Sequence, residues 1–333
     1  MSVSERMFSF LKFMIMAGIV SARTKADVIY ASSTPLTVAV PGIIGKLFQR
    51  APLIFEVRDL WPSVPIELGF LNNPVAKWLA RALEIVAYKA SDSVVALSPG
   101  MRDGVLEVVP TKRTVVIPNA CDFELFDKSL SERKKFRLER GWDAGEVVVV
   151  YAGGFGPTYQ LDWVIKLAAA VRGSNIRFVL LGAGKDSDDL QNLGLELGLD
   201  PNEIFMGMQP KDVVAAFVAS GDIVLSALRD EKCLEVNSLN KVFDGLAAGK
   251  PILLNHQGWL RDEVVNASAG WQLDRSIDVA AGQLQEIVKN KERMKDAENN
   301  SKALGMRKFE RDKLFSKFLD ELESATQAKA SLA

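Results

Sequence analysis

Short apolar runs recur along this chain, each followed by a polar or glycine-rich turn and then by a segment of helical periodicity. LIFEV (Leu53 to Val57), SVVAL, VVVVYA, FVLL, DIVLS and PILL are the clearest. Runs of this length read as strands buried on both faces, and their alternation with helices marks βα units and a parallel, doubly wound sheet. In such sheets ligands bind in loops at the carboxyl ends of the strands. With 333 residues the chain is long enough for two such domains, each with its own core. The expected fold class is therefore α/β, and the loops that follow strands are where binding residues are sought.

The most informative of these units is NSLNKVFDGLAAGKPILL, Asn237 to Leu254. It predicts a short helix opened by Asn237 or Ser238, ended by Gly249 and kept from continuing by Pro251, with a buried strand behind it. Asn240, Lys241 and Asp244 fall early in that helix, and Lys241 and Asp244, three apart, share a face. A helix start carries unpaired N–H groups that suit a phosphate. The unit thus offers a phosphate seat at its tip and a carboxylate further in. The alternative is an ordinary αβ unit with Lys241 and Asp244 on a solvated face.

Two more glycine turns follow strands. VVVVYAGGFG places Gly153, Gly154 and Gly156 between a strand and a helix, where backbone N–H groups can approach a diphosphate. FVLLGAGKDSDDL supplies Gly182, Gly184 and Lys185, without the spacing of a P-loop. Asp186 to Asp189 resembles a metal-binding acid cluster but reads better as acids favoured by the first turn of a helix. With one histidine and two cysteines, no zinc set is available and no metal is expected. The lone histidine, His256, lies in the loop after PILL. In the first half, RDLWPSVPIELG places Arg58 and Asp59 in a polar loop after a strand. They are read either as cleft residues or as a pair closed on each other.

Net charge is −1 with 48% apolar residues, which gives no ground for nucleic-acid binding. Residues 1–50 differ, with Arg6, Lys12, Arg23, Lys25, Lys46 and Arg50 against Glu5 and Asp27. The apolar segment Met7 to Ala22, broken by Lys12, is short for a membrane span. Residues 6–25 suit either an interfacial helix or a packing helix of a soluble fold.

NKVFDGLAAGKPILLNHQGW and FEVRDLWP resemble the family-four, GT-B-fold glycosyltransferases, closest to the O-antigen and capsule branch typified by L-fucosamine transferases. The resemblance covers nearly all of the chain. It implies two Rossmann-like domains, a nucleotide-sugar donor, no cofactor, and a lipid-linked saccharide acceptor at the inner face of the cell membrane. In that family a Glu-x7-Glu pair holds the donor, the second acid on the ribose and the first near the sugar. Asp244 takes the second position; the first falls on Val236, with Glu235 beside it. The nucleotide base is implied to pack on the turn Gly207 to Gln209, which contains Met208.

The PN-x-x-D segment ending at Asp122 matches the crossover between domains. The expected organisation is an acceptor-side domain over residues 1–127, a donor domain over 128–305 and a returning helix over 306–333. Family members begin with further βα units, so the first domain is expected to be incomplete, with an unprotected sheet edge. Arg58, Gly153, Gly154, Gly182, Lys185, Met208, Ser238, Asn240, Lys241 and Asp244 are the expected binding residues, and Asp59 and Glu235 the catalytic candidates. The alternatives are a donor-binding remnant or partner subunit, and a GT-B sugar-nucleotide epimerase.

Overall fold

The structure, a computed structural model, describes residues 3–330, with side chains over residues 8–327. The side chains of Arg6 and Met7, part of the expected interfacial segment, lie outside the described residues. The chain forms two compact units. The first takes the chain up to Pro118, a short return over 235–238, and the end from Asp312; the second takes 119–234 and 239–311.

The first unit opens with helix α1 (Val3–Arg23) and holds strands β1 (Ile29–Ser32), β2 (Leu53–Val57), β3 (Ser93–Ala96) and β4 (Thr114–Val116). All four strands are parallel and lie in sequence order, with β1 at an edge. Helices α2 (Ala39–Gln49), α3 (Ser63–Glu67), α4 (Pro74–Ala90) and α5 (Pro99–Val108) connect them. Ser98 caps α5 through Met101 N–H, with Pro99 at the first helical position, as its sequence predicts. β2 and β3 are buried throughout, whereas β1 alternates. Leu53, Phe55, Val94, Ala96, Tyr88 and Met101 form the core on one face.

The second unit begins with α6 (Phe123–Ser131) and α7 (Arg133–Glu139). It continues through β5 (Val147–Ala152), α8 (Leu161–Ala170), β6 (Ile176–Leu181), α9 (Ser187–Glu196), α10 (Pro201–Ile204), α11 (Lys211–Ser220) and β7 (Ile223–Ser226). After these come α12 (Asn240–Ala247), β8 (Ile252–Leu254), α13 (Trp259–Asn266), β9 (Gly270–Gln272), α14 (Ile277–Lys289) and α15 (Lys291–Lys308). The last helix, α16 (Arg311–Ala330), belongs to the first unit from Asp312 on. The five parallel strands run β6-β5-β7-β8-β9. The chain moves outward from β5 to β6 and then crosses to the far side of β5 to lay down β7. That reversal opens a crevice at the carboxyl ends of β5 and β7, where ligands bind in sheets of this order.

The units divide at Pro118 and Asn119, not near residue 127. Cys121 N–H donates to Phe309 O at 2.7 Å, Asp122 caps α6 and pairs with Arg311 at 3.1 Å, and Phe126 is buried. These contacts fix residues 119–127 to the second unit. The charged stretch that follows is helical, and Arg137 within it is buried and bonds Asp222 at 3.0 Å. The second unit also extends past residue 305, because Phe309 packs edge-on to Phe243 at 5.1 Å.

Close packing of two loops forms the floor of the crevice. A Cβ on Gly182 would lie 1.8 Å from Gly153 O, and one on Gly184 would lie 2.1 Å from Phe155 O. Gly182→Ala should therefore destabilise the protein by about 2 kcal/mol or more, since the obstruction is backbone and cannot swing away. Gly282→Ala, inside α14 with open space at the Cβ position, should stabilise it by about 0.5–1 kcal/mol. Urea midpoints at unchanged slope measure both.

Candidate functional site

Helix α12 runs from the crevice into the second unit. It ends as expected: Gly249 adopts φ +63°, its N–H bonds Leu246 O at 3.1 Å, and Lys250 N–H bonds Gly245 O at 2.8 Å. Its start differs from the reading of Asn237 or Ser238 as cap. Leu239 takes the cap position and no side chain caps the helix. Glu235 and Ser238 lie in the short return of the first unit, where Val236 packs in the core and its carbonyl accepts from Ser98 Oγ at 2.6 Å. Asn240, the first helical residue, is exposed.

Lys241 is not on a solvated face. It is 6% exposed. Its amine lies 4.4 Å from the Tyr151 ring centroid and 4.3 Å from that of Tyr159, and Nζ donates to the Tyr151 hydroxyl at 3.2 Å. Tyr151 Oη in turn donates to Gly154 O at 3.0 Å. Among the described residues no carboxylate pairs with Lys241. Burial alone drives its pKa down to about 7. Gly153 lies against the amine: a Cβ there would come within 3.1 Å of Lys241 Cε and 3.2 Å of Nζ. The buried cation thus sits at the end of β5, at the crossover of strand order.

Asp244, three residues on, has different surroundings. Burial raises its carboxyl pKa to about 6, with Lys211 pulling it down and Asp122 pushing it up. Lys211 and Asp122 are themselves 3.9 Å apart. Lys241 and Asp244 therefore diverge: the lysine meets the glycine turn, and the acid faces the loop before α6 and the start of α11.

The glycine turns play a different part from the one expected. Gly153 N–H donates to Leu181 O at 2.9 Å, Phe155 N–H to Ala183 O at 3.0 Å, and Gly182 N–H to Gly207 O at 2.9 Å. Gly184 N–H is taken by Ser187 Oγ at 2.9 Å. The first three donors join separate segments and the fourth closes its own turn, so Gly153 and Gly182 bring backbones together and do not offer N–H groups to a ligand. Gly154 is exposed beside Tyr159. Lys185 is exposed on the turn after β6, and Met208, 81% exposed, tops the turn between α10 and α11.

His256 is buried and fully bonded. Nε2 lies 3.0 Å from Ser226 Oγ and Nδ1 lies 2.9 Å from Gln257 O, which only accepts. The ring is therefore assigned a proton on Nδ1 and an acceptor on Nε2. Burial pushes its pKa down to about 4. A neutral, doubly bonded ring at neutral pH holds β7 to the loop after β8 and is not poised for proton transfer.

In the first unit, Arg58 and Asp59 do not close on each other. Arg58 Nη1 lies 3.7 Å from Glu56 Oε2, and its N–H donates to Ser33 Oγ at 3.0 Å. Asp59 accepts from Thr34 Oγ1 at 3.2 Å, and burial raises its pKa. Glu56 was not singled out in the sequence, yet its carboxylate is buried on β2 and accepts from Ser32 Oγ. An acid inside an otherwise apolar strand was the available signal. Tyr151 and Tyr159 were missed as well; aromatics flanking a glycine turn read first as core.

The family described as "Glycosyl transferases group 1" matches residues 132–304, and "Glycosyl transferase 4-like domain" matches residues 5–120. The chain belongs to the group 1 glycosyl transferase family. An uncharacterized glycosyltransferase of Methanocaldococcus jannaschii is 23% identical over 221 residues, 62% of this chain and 54% of that protein. The match thus spans about half the length of that curated relative.

Among solved structures, HepE of Anabaena, in complex with UDP and glucose, superposes with a TM-score of 0.71 at 18% identity, over 95% of this chain and 81% of that one. Sucrose-phosphate synthase of Thermosynechococcus elongatus gives 0.74 at 15% identity, over 98% and 81%. WaaG, a glycosyltransferase involved in lipopolysaccharide biosynthesis, gives 0.65 at 15%, over 89% and 90%. The fold is the GT-B fold, with two parallel-sheet Rossmann-like units.

Lys241 makes a pH-dependent demand on stability. An amine whose pKa falls on folding contributes stability above its ordinary value of 10.5, and that contribution is lost as pH falls through about 7. Lys241→Met should therefore be more stable than wild type at pH 6–7, with the difference shrinking toward pH 9. Urea denaturation of both proteins at three pH values checks this.

Proposed function

We propose that this chain is a retaining glycosyltransferase that moves a sugar from a nucleotide-diphosphate sugar to a lipid-linked saccharide in surface polysaccharide biosynthesis. The observation that carries the reading is the Lys241 amine, buried at the crossover of the second sheet with two tyrosines around it and no carboxylate partner among the described residues. A buried amine without a counter-charge gives up its proton easily and holds it best beside an anionic ligand. A sugar diphosphate supplies one whose charge grows as the glycosidic bond breaks.

In this reading Lys241 holds the diphosphate and Lys185 adds an exposed cation. Asp244 accepts from the ribose hydroxyls, and the turn carrying Met208 supports the base. The acceptor hydroxyl forms the new bond to the anomeric carbon, the diphosphate departs, and the hydroxyl proton passes to a base or to a departing phosphate oxygen. Asp59 and Glu235, with Arg58, are proposed to serve the acceptor and the sugar. Relatives support the donor class: HepE was solved with UDP and with UDP-glucose.

The acceptor reading rests on the resemblance together with α1. Phe8, Phe10, Phe13, Ile15, Met16 and Val20 are half or more exposed, apart from Phe10 at 49%. Lys12, Arg23 and Lys25 lie within or just beyond that helix. No helix of the described residues is long and apolar enough to cross a membrane. An apolar helix with basic flanks instead suits peripheral contact with an anionic inner leaflet.

Calorimetry with UDP tests the donor site. Asp244→Ala and Lys241→Met should each weaken binding at least tenfold, and binding unchanged in both would remove the assignment. Because burial brings the Lys241 pKa down to about 7, wild-type binding of an anion at pH 8 should take up a proton. Heats in buffers of different ionisation enthalpy would show this, and the uptake should vanish in Lys241→Met. Transfer of radiolabelled sugar to a lipid extract then tests catalysis.

A further inference from the structure

The carboxyl ends of the first sheet carry Arg58 and Asp59. Its amino-terminal ends hold a separate cavity of about 300 Å³. Pro52, Ser93 and Arg113 line it from just before or at the start of β2, β3 and β4. Lys46 and Arg50 come from the end of α2, and Glu321 and Ser324 from α16. All belong to the first unit.

The polar groups here are unevenly matched. Asp92 Oδ2 already accepts from Lys46 Nζ and from Leu53 N–H, both at 2.7 Å. Both Glu321 oxygens are held by Arg113, through Nε at 3.1 Å and Nη2 at 2.7 Å. Each acid thus already answers a cation, whereas donors remain. Arg113 keeps Nη1, and Lys46 keeps one of its three protons after Ala90 O and Asp92. Arg50 has no hydrogen bond or ion pair among the described residues. Ser93, 2% exposed, has a hydroxyl with no partner.

We propose that this cavity is a second, non-catalytic anion site that takes a phosphate group. Its lining presents three cations against two engaged carboxylates, and its open donors include guanidinium groups that match phosphate oxygens in a fork. A buried hydroxyl without a partner costs stability unless a ligand or water bonds it. The volume admits a phosphate with a small organic group. The phosphate has two sources, a soluble phosphate monoester or a lipid headgroup. Leu47 and Phe48, 69% and 70% exposed just before Arg50, suit the lipid.

The test uses full-length protein labelled with ¹⁵N and saturated with UDP, so that the crevice of the second unit is occupied. Glycerol 3-phosphate is titrated in one arm. In the other, vesicles of phosphatidylglycerol with phosphatidylcholine are compared with phosphatidylcholine alone. Arg50→Gly removes the guanidinium and suits the backbone, since Arg50 adopts φ +51°. Ser93→Ala removes the hydroxyl.

Saturable shifts of the Ser93 and Arg113 amides, weakened at least tenfold in Arg50→Gly and severalfold in Ser93→Ala, are expected. A response to glycerol 3-phosphate assigns a soluble ligand. A response only to anionic vesicles assigns the headgroup. No saturable shift with either probe, or shifts unchanged in both variants, overturns the proposal. Because the crevice is filled by UDP throughout, that failure would leave the donor-site reading standing.

Discussion

The placement of one amine governs the second unit. Lys241 is cut off from solvent where it lies, and no acid among the described residues pairs with it. Two tyrosine faces and one hydroxyl replace only part of its hydration. The position costs stability in the empty protein, and its pKa of about 7 records that cost. A residue held so is poised to gain from an anion more than an exposed lysine would, because the attraction acts through protein and less through water. The surrounding construction serves to keep the amine there. β5 delivers Tyr151, the turn after it delivers Tyr159, and Gly153 leaves room for the lysine stem.

Much of this architecture is legible in the chain. Apolar runs bounded by turns mark the strands, and their buried, parallel pairing follows from being apolar without alternation. Gly249 followed by Pro251 marks a helix end, because the left-handed turn needs glycine and the helix cannot run through proline. Ser98 before Pro99 marks a helix start for equally local reasons. Where the physics is local, the residues suffice.

What could not be read depends on pairing across distance. Arg58 meets Glu56 on its own strand side and not Asp59, because the loop carries Asp59 toward Thr34 after β1. Ser238 looks like a cap, but Val236 is drawn into the core of the first unit, and the helix begins one residue later than a cap at Ser238 would set. The glycine turns look like phosphate loops. Their N–H groups instead join neighbouring loops, a choice set by how closely β5 and β6 approach at their ends. Residues 119–127 are assigned by a backbone bond to Phe309, far along the chain.

The two readings of the glycine turns differ in what they make of the crevice. Loops that offered their N–H groups to a ligand would have to leave them to water when empty, and would reorganise on binding. Loops whose donors are already joined to one another form a fixed floor: Gly153 to Leu181, Phe155 to Ala183 and Gly182 to Gly207. On such a floor the amides of Gly153, Phe155 and Gly182 are not open to a ligand, and the proposed donor would meet the charge of Lys241. The position of that charge is set by packing before the ligand arrives. Electrostatic stabilisation that needs no reorganisation acts on whatever charge develops during reaction as well as on the charge already present. The close loop packing and the buried lysine are therefore two parts of one arrangement, since a rigid floor holds the amine in place with no carboxylate among the described residues beside it.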